Sequence, residues 1–330
     1  MTIKEHSDSS QQISFFDTTL RDGMQTPGIG CTLEERLLLA HNIASIGPDS
    51  MEIGMPANTV DQQFVPKISK ALAENHPDIT QTLLCRCAEY DITQAETMFG
   101  IYDIPYRIHL FIPTSDALRE HSVKKSKGRV IEIVTDTIRK TKELMPYAQV
   151  EFTPEDTAAT GDKRFLLKTI EAAVLEGADI INIADTTGWA KTNEYGELIK
   201  RICEVFPDIT ISSHCHNDAG LAVANTLSAI ENGATQVEGT VLGVGERAGN
   251  VDWGLVAATT YMQIPGFQTE EMRQLLHNYG KHVGAVSEIL EAPIPANYPV
   301  FGLNAHRTSS GIHSNANGKS KHCYHRFDPA

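Results

Sequence analysis

A chain of 330 residues, 41% apolar and 21% charged, has the balance of an ordinary globular protein with enough apolar material for one large core. Its formal net charge of −14 argues against a nucleic-acid partner or an anionic membrane surface, since both are met with clustered Lys and Arg. No apolar run approaches the ~18 residues a membrane helix needs, and Met1 to Gln12 lacks the apolar centre of a signal peptide.

After this polar tail (1–12), Ile13-Ser-Phe-Phe16 reads as a first strand, followed by Asp17-Thr-Thr-Leu-Arg-Asp-Gly23. Thr32 to Ile46 reads as a helix. Thr32 is a good N-cap, Glu35 completes a capping box, and Leu33, Leu37, Leu38 and His41 mark one face. Ser50 to Gly54 is the second strand, then a helix from Val60 to Ala73. Thr80 to Cys85 is the third, with a helix through Met98, and Tyr106 to Ile112 the fourth, with a helix from Gly128 to Met145. The rhythm then repeats. Strands at Ala148–Phe152, Asp179–Ala184, Ile209–Ser212 running into the histidines, and Gln236–Val241 alternate with helices at Lys163–Glu176, Thr192–Val205, Gly220–Asn232 and Asp252–Tyr261. Such alternation implies a parallel sheet, and eight units in roughly 250 residues predict an α/β fold, a closed (β/α)8 TIM barrel over 13–265. No glycine-rich dinucleotide fingerprint follows the first strand, which disfavours an open doubly wound sheet. Beyond Gly266 the pattern changes to one amphipathic helix (Thr269–Val286), a proline-rich linker (Ala292–Pro299) and a stretch rich in Gly, Ser, Asn and His. We take 266–330 as a linker and accessory segment that packs on a barrel, this one or a partner's.

The six cysteines (31, 85, 87, 203, 215 and 323) lack zinc-finger spacing and read as reduced thiols of a cytoplasmic protein. Cys85-Arg-Cys87 is read as structural, because strand alternation points Arg86 away from both thiols. His214 and His216 face the same way on their strand, so two imidazoles could hold one divalent ion from a rigid wall. An isolated His-x-His is weak, but a barrel gathers its strand ends at one mouth. Arg21 and Asp22, Glu52, Arg86, His109, Glu155 and Asp156, Asp185 and Thr186, the histidines, and Glu246, Arg247 and Asn250 would converge there. Asp22, His214, His216 and Asn250 then make two nitrogen and two oxygen donors, a set suited to Zn, Mn, Co or Mg with positions open for substrate.

Four stretches resemble a known family: Asp17-Thr-Thr-Leu-Arg-Asp-Gly-Met-Gln25, Glu52-Ile-Gly-Met-Pro56, His214-Cys-His-Asn-Asp218 and Gly243-Val-Gly-Glu-Arg-Ala-Gly-Asn250. They are similar to the signatures of 2-isopropylmalate synthases, within the metal-dependent barrel family that includes homocitrate synthase, citramalate synthase and HMG-CoA lyase. The likeness continues through Ser309-Ser-Gly-Ile-His313 and Tyr324-His-Arg-Phe-Asp-Pro329. It implies Asp22, His214 and His216 as ligands of Mg2+, Mn2+ or Zn2+, with Asn250 a further ligand or neighbour. It also implies a Claisen-type condensation of acetyl-CoA with a 2-oxo acid, best matched by 2-oxoisovalerate in leucine biosynthesis. Arg21 would stabilise the developing alkoxide and Glu155 would assist, with His313 and Tyr324 recruited across a homodimer. Gln25, Glu52, Leu84, Arg86, His109, Thr153, Ala184 and Thr186 would line the substrate wall.

The chain departs from the family at Ser314-Asn-Ala-Asn-Gly-Lys319, at Glu155-Asp-Thr-Ala-Ala159, which lacks the family's arginine, and at Thr114-Ser-Asp-Ala-Leu118. The alternatives are another 2-oxo acid, a carbon–carbon lyase and a non-catalytic barrel. The lyases of the family carry a cysteine in the loop after strand eight, and 241–250 has none. A chain ending at Ala330 is also expected to escape leucine feedback through a C-terminal domain.

Overall fold

The structure, a computed structural model, describes residues 12–99, 104–320 and 323–324. In chain order its elements are β1 (Ser14–Asp17), α1 (Leu33–Ile46), β2 (Ser50–Glu52), α2 (Thr59–Asn75), β3 (Thr80–Arg86), α3 (Glu89–Phe99), β4 (Tyr106–Pro113), α4 (Asp116–Leu118) and α5 (Lys127–Leu144). There follow β5 (Gln149–Glu155), α6 (Lys163–Leu175), β6 (Ile180–Asp185), α7 (Thr192–Val205), β7 (Thr210–Cys215), α8 (Ala222–Glu231), β8 (Gln236–Gly239), α9 (Trp253–Gln263), α10 (Glu270–Ile289) and α11 (Gly311–Lys319). The strands run β1 to β8 in order around a closed barrel, every neighbouring pair parallel. β1 closes it on β8, with Ser14 opposite Gln236 and Asp17 opposite Gly239. This is the (β/α)8 fold that the alternation predicts. Among the described residues no helix is long and apolar enough to cross a membrane.

The apolar core lies between the strands and the ring of helices, where Ile43, Ile68, Ile92, Val134, Ile170, Ile199, Ile230 and Val256 are all buried. The lumen is different. In barrels of this type it is dominated by branched apolar side chains, whereas here it holds a buried polar ladder. Arg107 Nη1 donates to Glu151 Oε2 (2.8 Å) and Gln236 Oε1 (3.0 Å), and Gln236 Nε2 donates to Glu151 Oε1 (2.9 Å) and Ser212 Oγ (3.0 Å). Each of these charges has a partner, as burial demands.

Three local expectations are corrected. The capping box at Thr32 and Glu35 forms, but α1 buries Arg36, Leu39, Ala40, Ile43 and Ala44, leaving Leu38 and His41 exposed. Two apolar stripes share the helical period, and the sheet takes the one carrying Ile43 and Ile46. Residues 116–123 form a short helical passage where no element was expected, started by Ser115 accepting the Leu118 N–H. Gly311–Lys319 is likewise a helix, although it buries none of its residues. Of the polar tail, 1–11 lie outside the described residues.

α10 packs along α1, burying Leu276, Tyr279, Val283 and Val286. The chain after it is clamped onto the barrel by Asp252, whose two carboxylate oxygens accept the hydroxyls of Tyr279 (2.6 Å) and Tyr298 (2.7 Å).

Candidate metal centre

β1 ends at Asp17, and the turn after it is fixed from inside. Asp17 Oδ1 accepts Thr19 N (2.9 Å), and Oδ2 accepts Thr19 Oγ1 (2.8 Å) and Trp253 Nε1 (2.8 Å). That turn delivers Arg21 and Asp22 to the barrel mouth. β7 delivers His214, and His216 follows it, held by a bridge to Asn250 in the loop after β8. The loop's path needs two glycines. A Cβ on Gly249, which has φ +88°, would meet Gly243 O at 2.1 Å, and one on Gly245 would meet Asn250 Nδ2 at 2.2 Å. Asn250 Nδ2 can then donate to Asp22 Oδ1 at 3.0 Å.

Asp22, His214 and His216 are all buried, and each offers a donor atom within 4.8 Å of the others'. The two imidazoles meet edge to face with ring centroids 4.9 Å apart. His216 Nδ1 and Asn250 Oδ1 are buried without a hydrogen-bond partner among the described residues, while His214 Nδ1 faces Glu238 Oε1. Orphaned buried donors and acceptors converging with a carboxylate are costly unless a ligand completes them. The set fits a divalent cation. Burial and then the neighbouring His214 push His216 down to about 4, so it is neutral and can ligate. Burial opposes ionisation of Asp22, but Arg21 and the two histidines outweigh it and hold the carboxyl well below its usual range.

Arg21 is locked between carboxylates. Its Nε lies 2.5 Å from Glu52 Oε2, its Nη1 2.8 Å from Asp22 Oδ2 and its Nη2 3.8 Å from Glu238 Oε1. Glu52 also faces His109 Nδ1 at 2.9 Å, and His109 Nε2 lies 2.6 Å from Thr153 Oγ1. Glu238, at the centre of this layer, accepts Asn182 Nδ2 at 2.6 Å and lies 3.1 Å from His214 Nδ1. Burial alone would lower His109, but Glu151, Glu52 and Glu238 outweigh it and lift it to about 9, an imidazolium at neutral pH. Glu52, His109 and Glu238 are also spaced to hold an ion. That cluster is already matched by two organic cations, Arg21 and His109, so the Asp22 set is the one that calls for a metal.

These groups line a cavity of about 290 Å³ at the barrel mouth. Gln25, Leu84, His109, Thr153, Glu155, Ala184 and Thr186 line it with Arg21, Asp22, His214 and His216. Glu52 lies behind Arg21 and His109, and Asn250 behind Asp22. Glu155 closes β5, where burial first and Asp156 second raise it to about 7. A larger groove of about 700 Å³ runs outside the barrel between α6 and α7, away from the metal ligands.

Four sequence candidates stand apart from this cavity. Arg86 turns to the surface at the end of β3, where Asp91 takes its Nε (2.9 Å) and Nη2 (2.7 Å). His313 on α11 and Tyr324 stack on each other, centroids 3.9 Å apart, outside the lining. Asp185, expected at the mouth, accepts the N–H groups of Trp189 and Ala190 and so shapes the entry to α7. The sequence reading missed Glu238 and Asn182. The signal was there, since polar residues alternate along the strands (Arg107 and His109; Ser212, His214 and His216; Gln236, Glu238 and Thr240), marking one wet face.

The family model described as HMGL-like matches residues 12–278. A 2-isopropylmalate synthase of Listeria monocytogenes is 37% identical over 324 residues, covering 97% of this chain and 62% of that protein. One from Synechocystis is 39% identical over 332 residues, covering 96% and 61%, and 2-isopropylmalate synthase 1 of Caldanaerobacter subterraneus is 39% identical over 318, covering 92% and 75%. The chain thus spans less than two thirds of the length of the Listeria and Synechocystis relatives. In fold it is similar to the Bacillus subtilis HMG-CoA lyase, with a TM-score of 0.70 at 16% identity over 86% of this chain and 96% of that one. It is also similar to the carboxyl transferase domain of Rhizobium etli pyruvate carboxylase, with a TM-score of 0.60 at 16% identity over 94% and 53%. A matching family model over most of its length and relatives at 37–39% identity make one statement plain: the chain belongs to the HMGL-like family.

Proposed function

We propose that this chain condenses acetyl-CoA with a 2-oxo acid, 2-oxoisovalerate being the best match, to give 2-isopropylmalate and free CoA. The observation that carries the reading is the convergence of Asp22, His214 and His216 beside a locked Arg21 at the mouth of a small cavity. A divalent cation (Mg2+, Mn2+ or Zn2+) held by those three residues, with Asn250 at its edge, would supply Lewis-acid polarisation and a template for the 2-oxo acid.

The chain's own residues do the rest. Arg21 stays charged because Glu52 and Asp22 flank it, so its fixed guanidinium can donate to an oxygen gaining negative charge without reorganising. His109, an imidazolium beside Thr153, offers a second cation on the wall where a substrate carboxylate would lie. Leu84 and Ala184 bound the space left for a short branched side chain, while Gln25 and Thr186 add polar contacts at the rim. Glu155, poised at about 7 within the cavity, can hold or release a proton at operating pH.

His313 and Tyr324 we assign to the site of a second copy. His313, on a helix that buries nothing of its own, stacks on Tyr324 beyond that helix, outside this chain's cavity, which favours a homodimer exchanging these segments. All six cysteines are free thiols, which fits a reducing cytoplasm. The test is release of free thiol from acetyl-CoA with Mn2+ or Mg2+ and a panel of 2-oxo acids. Release with 2-oxoisovalerate supports the reading, a preference for another acid reassigns the substrate, and none with any acid overturns it.

A further inference from the structure

A second meeting of imidazoles lies on the flank of the barrel. His41 is exposed on α1, and His76 caps the C-terminus of α2. His76 Nε2 is 3.2 Å from His41 Nδ1, with ring centroids 5.2 Å apart. His282 on α10 belongs to the same patch. Its Nδ1 lies 3.0 Å from Oδ1 of Asn42, the residue after His41, and the charge of His41 acts on it. Among the described residues no carboxylate forms an ion pair with any of the three rings.

Two imidazoles at this separation either share one proton or share one ion. In a tetrahedral site with Zn–N distances of ~2.0–2.1 Å, two nitrogens sit about 3.3 Å apart. That is close to the spacing found. Burial and then His41 hold His76 below its ordinary value, which favours the neutral ring that a metal needs. The donor set selects among metals. Imidazole nitrogen without a carboxylate suits zinc, nickel and copper, and offers little to Mg2+ or Ca2+.

We propose that His41 and His76 form a surface site for a Zn2+, Ni2+ or Cu2+ ion, separate from the barrel-mouth centre, with water filling the remaining positions and His282 on the same patch. The ion ties the end of α2, just before β3, to α1, and Asn42 already joins α1 to α10 through His282. It therefore adds a tie between α1 and α2 beside the existing contact of α1 with the post-barrel helix. None of these residues lines the cavity, so the site is independent of the condensation reading.

Equilibrium dialysis of the untagged full chain against Ni2+, counting ions per chain, tests this. The wild type is expected to bind two ions, while His41→Ala and His76→Ala each bind one. His216→Ala, which removes the mouth centre, also binds one, and combining it with His76→Ala leaves none. His277→Ala, an exposed histidine elsewhere on α10, is expected to keep both. Equal uptake by wild type, His41→Ala and His76→Ala would overturn the proposal, as would loss of an ion in His277→Ala. Failure of the mouth centre shows separately, as undiminished uptake by His216→Ala. Matching melting temperatures of the metal-free variants establish that a lost ion is not lost fold.

Discussion

Glu238 Oε1 lies 3.1 Å from His214 Nδ1, both side chains are buried, and Asn182 holds the other Glu238 oxygen at 2.6 Å. A carboxylate behind an imidazole ligand fixes its ring and raises its basicity. Burial opposes the charge on Glu238, but His214, His109 and Arg21 outweigh it and keep it ionised.

Glu238→Gln keeps the shape and the contact with Asn182 but removes the charge. We expect Mn2+ affinity at the mouth centre to fall about 10- to 100-fold, measured by calorimetry. Asn182→Ala should weaken it less, since Glu238 keeps its charge and its neighbours Arg21 and His109.

Metal binding should depend on pH through one histidine more than the other. Burial alone would lower His214, but Glu238 and Asp22 outweigh it and raise it above its ordinary value, whereas His216 sits at about 4. A ligand must shed its proton to bind. Affinity should therefore decline as pH falls through the neutral range, with His214 as the titrating group. Asp22→Asn and His216→Ala should abolish stoichiometric binding at the mouth and thiol release together, and chelation should do so reversibly.

His109 makes a prediction about stability. Its folded value, about 9, lies above its ordinary 6.5. The folded state therefore holds a proton that the unfolded state sheds between these values, and stability falls as pH rises through that window. The contribution is fully present below 6.5 and lost above 9. His109→Gln should lower the melting temperature more at about pH 6 than at about pH 9.5. Nitrogen chemical shifts of an imidazolium near neutrality provide the direct check.

Leu84 is nearly buried on the cavity wall. Leu84→Ala removes contact with a branched acid and opens room for a longer one. A methylene in such a pocket is worth about 1–3 kcal/mol, so kcat/KM for 2-oxoisovalerate should drop about 10-fold or more while longer unbranched 2-oxo acids gain. Thiol release across the panel reads both changes.

The sequence by itself determined the parts that local rules govern. Capping at Thr32, alternation of strand and helix, and the spacing of His214 and His216 depend on neighbours within a few residues, so they are legible without the fold. Asp22 was legible too, because strand order in a closed barrel sends its turn to the same rim as β7. Tertiary structure decided what depends on closure. Which stripe of α1 is buried was settled by the sheet and α10, not by period, since both stripes are apolar. Arg86 was taken by Asp91 on the helix after its own strand, a partner that strand-end position does not reveal. Glu238 became the hub of the lumen because β8 closes against β1 and β7, bringing residues 21, 182 and 214 around one carboxylate. A charge in a barrel lumen acquires its meaning from strands far away in sequence, and only their common axis brings those strands together.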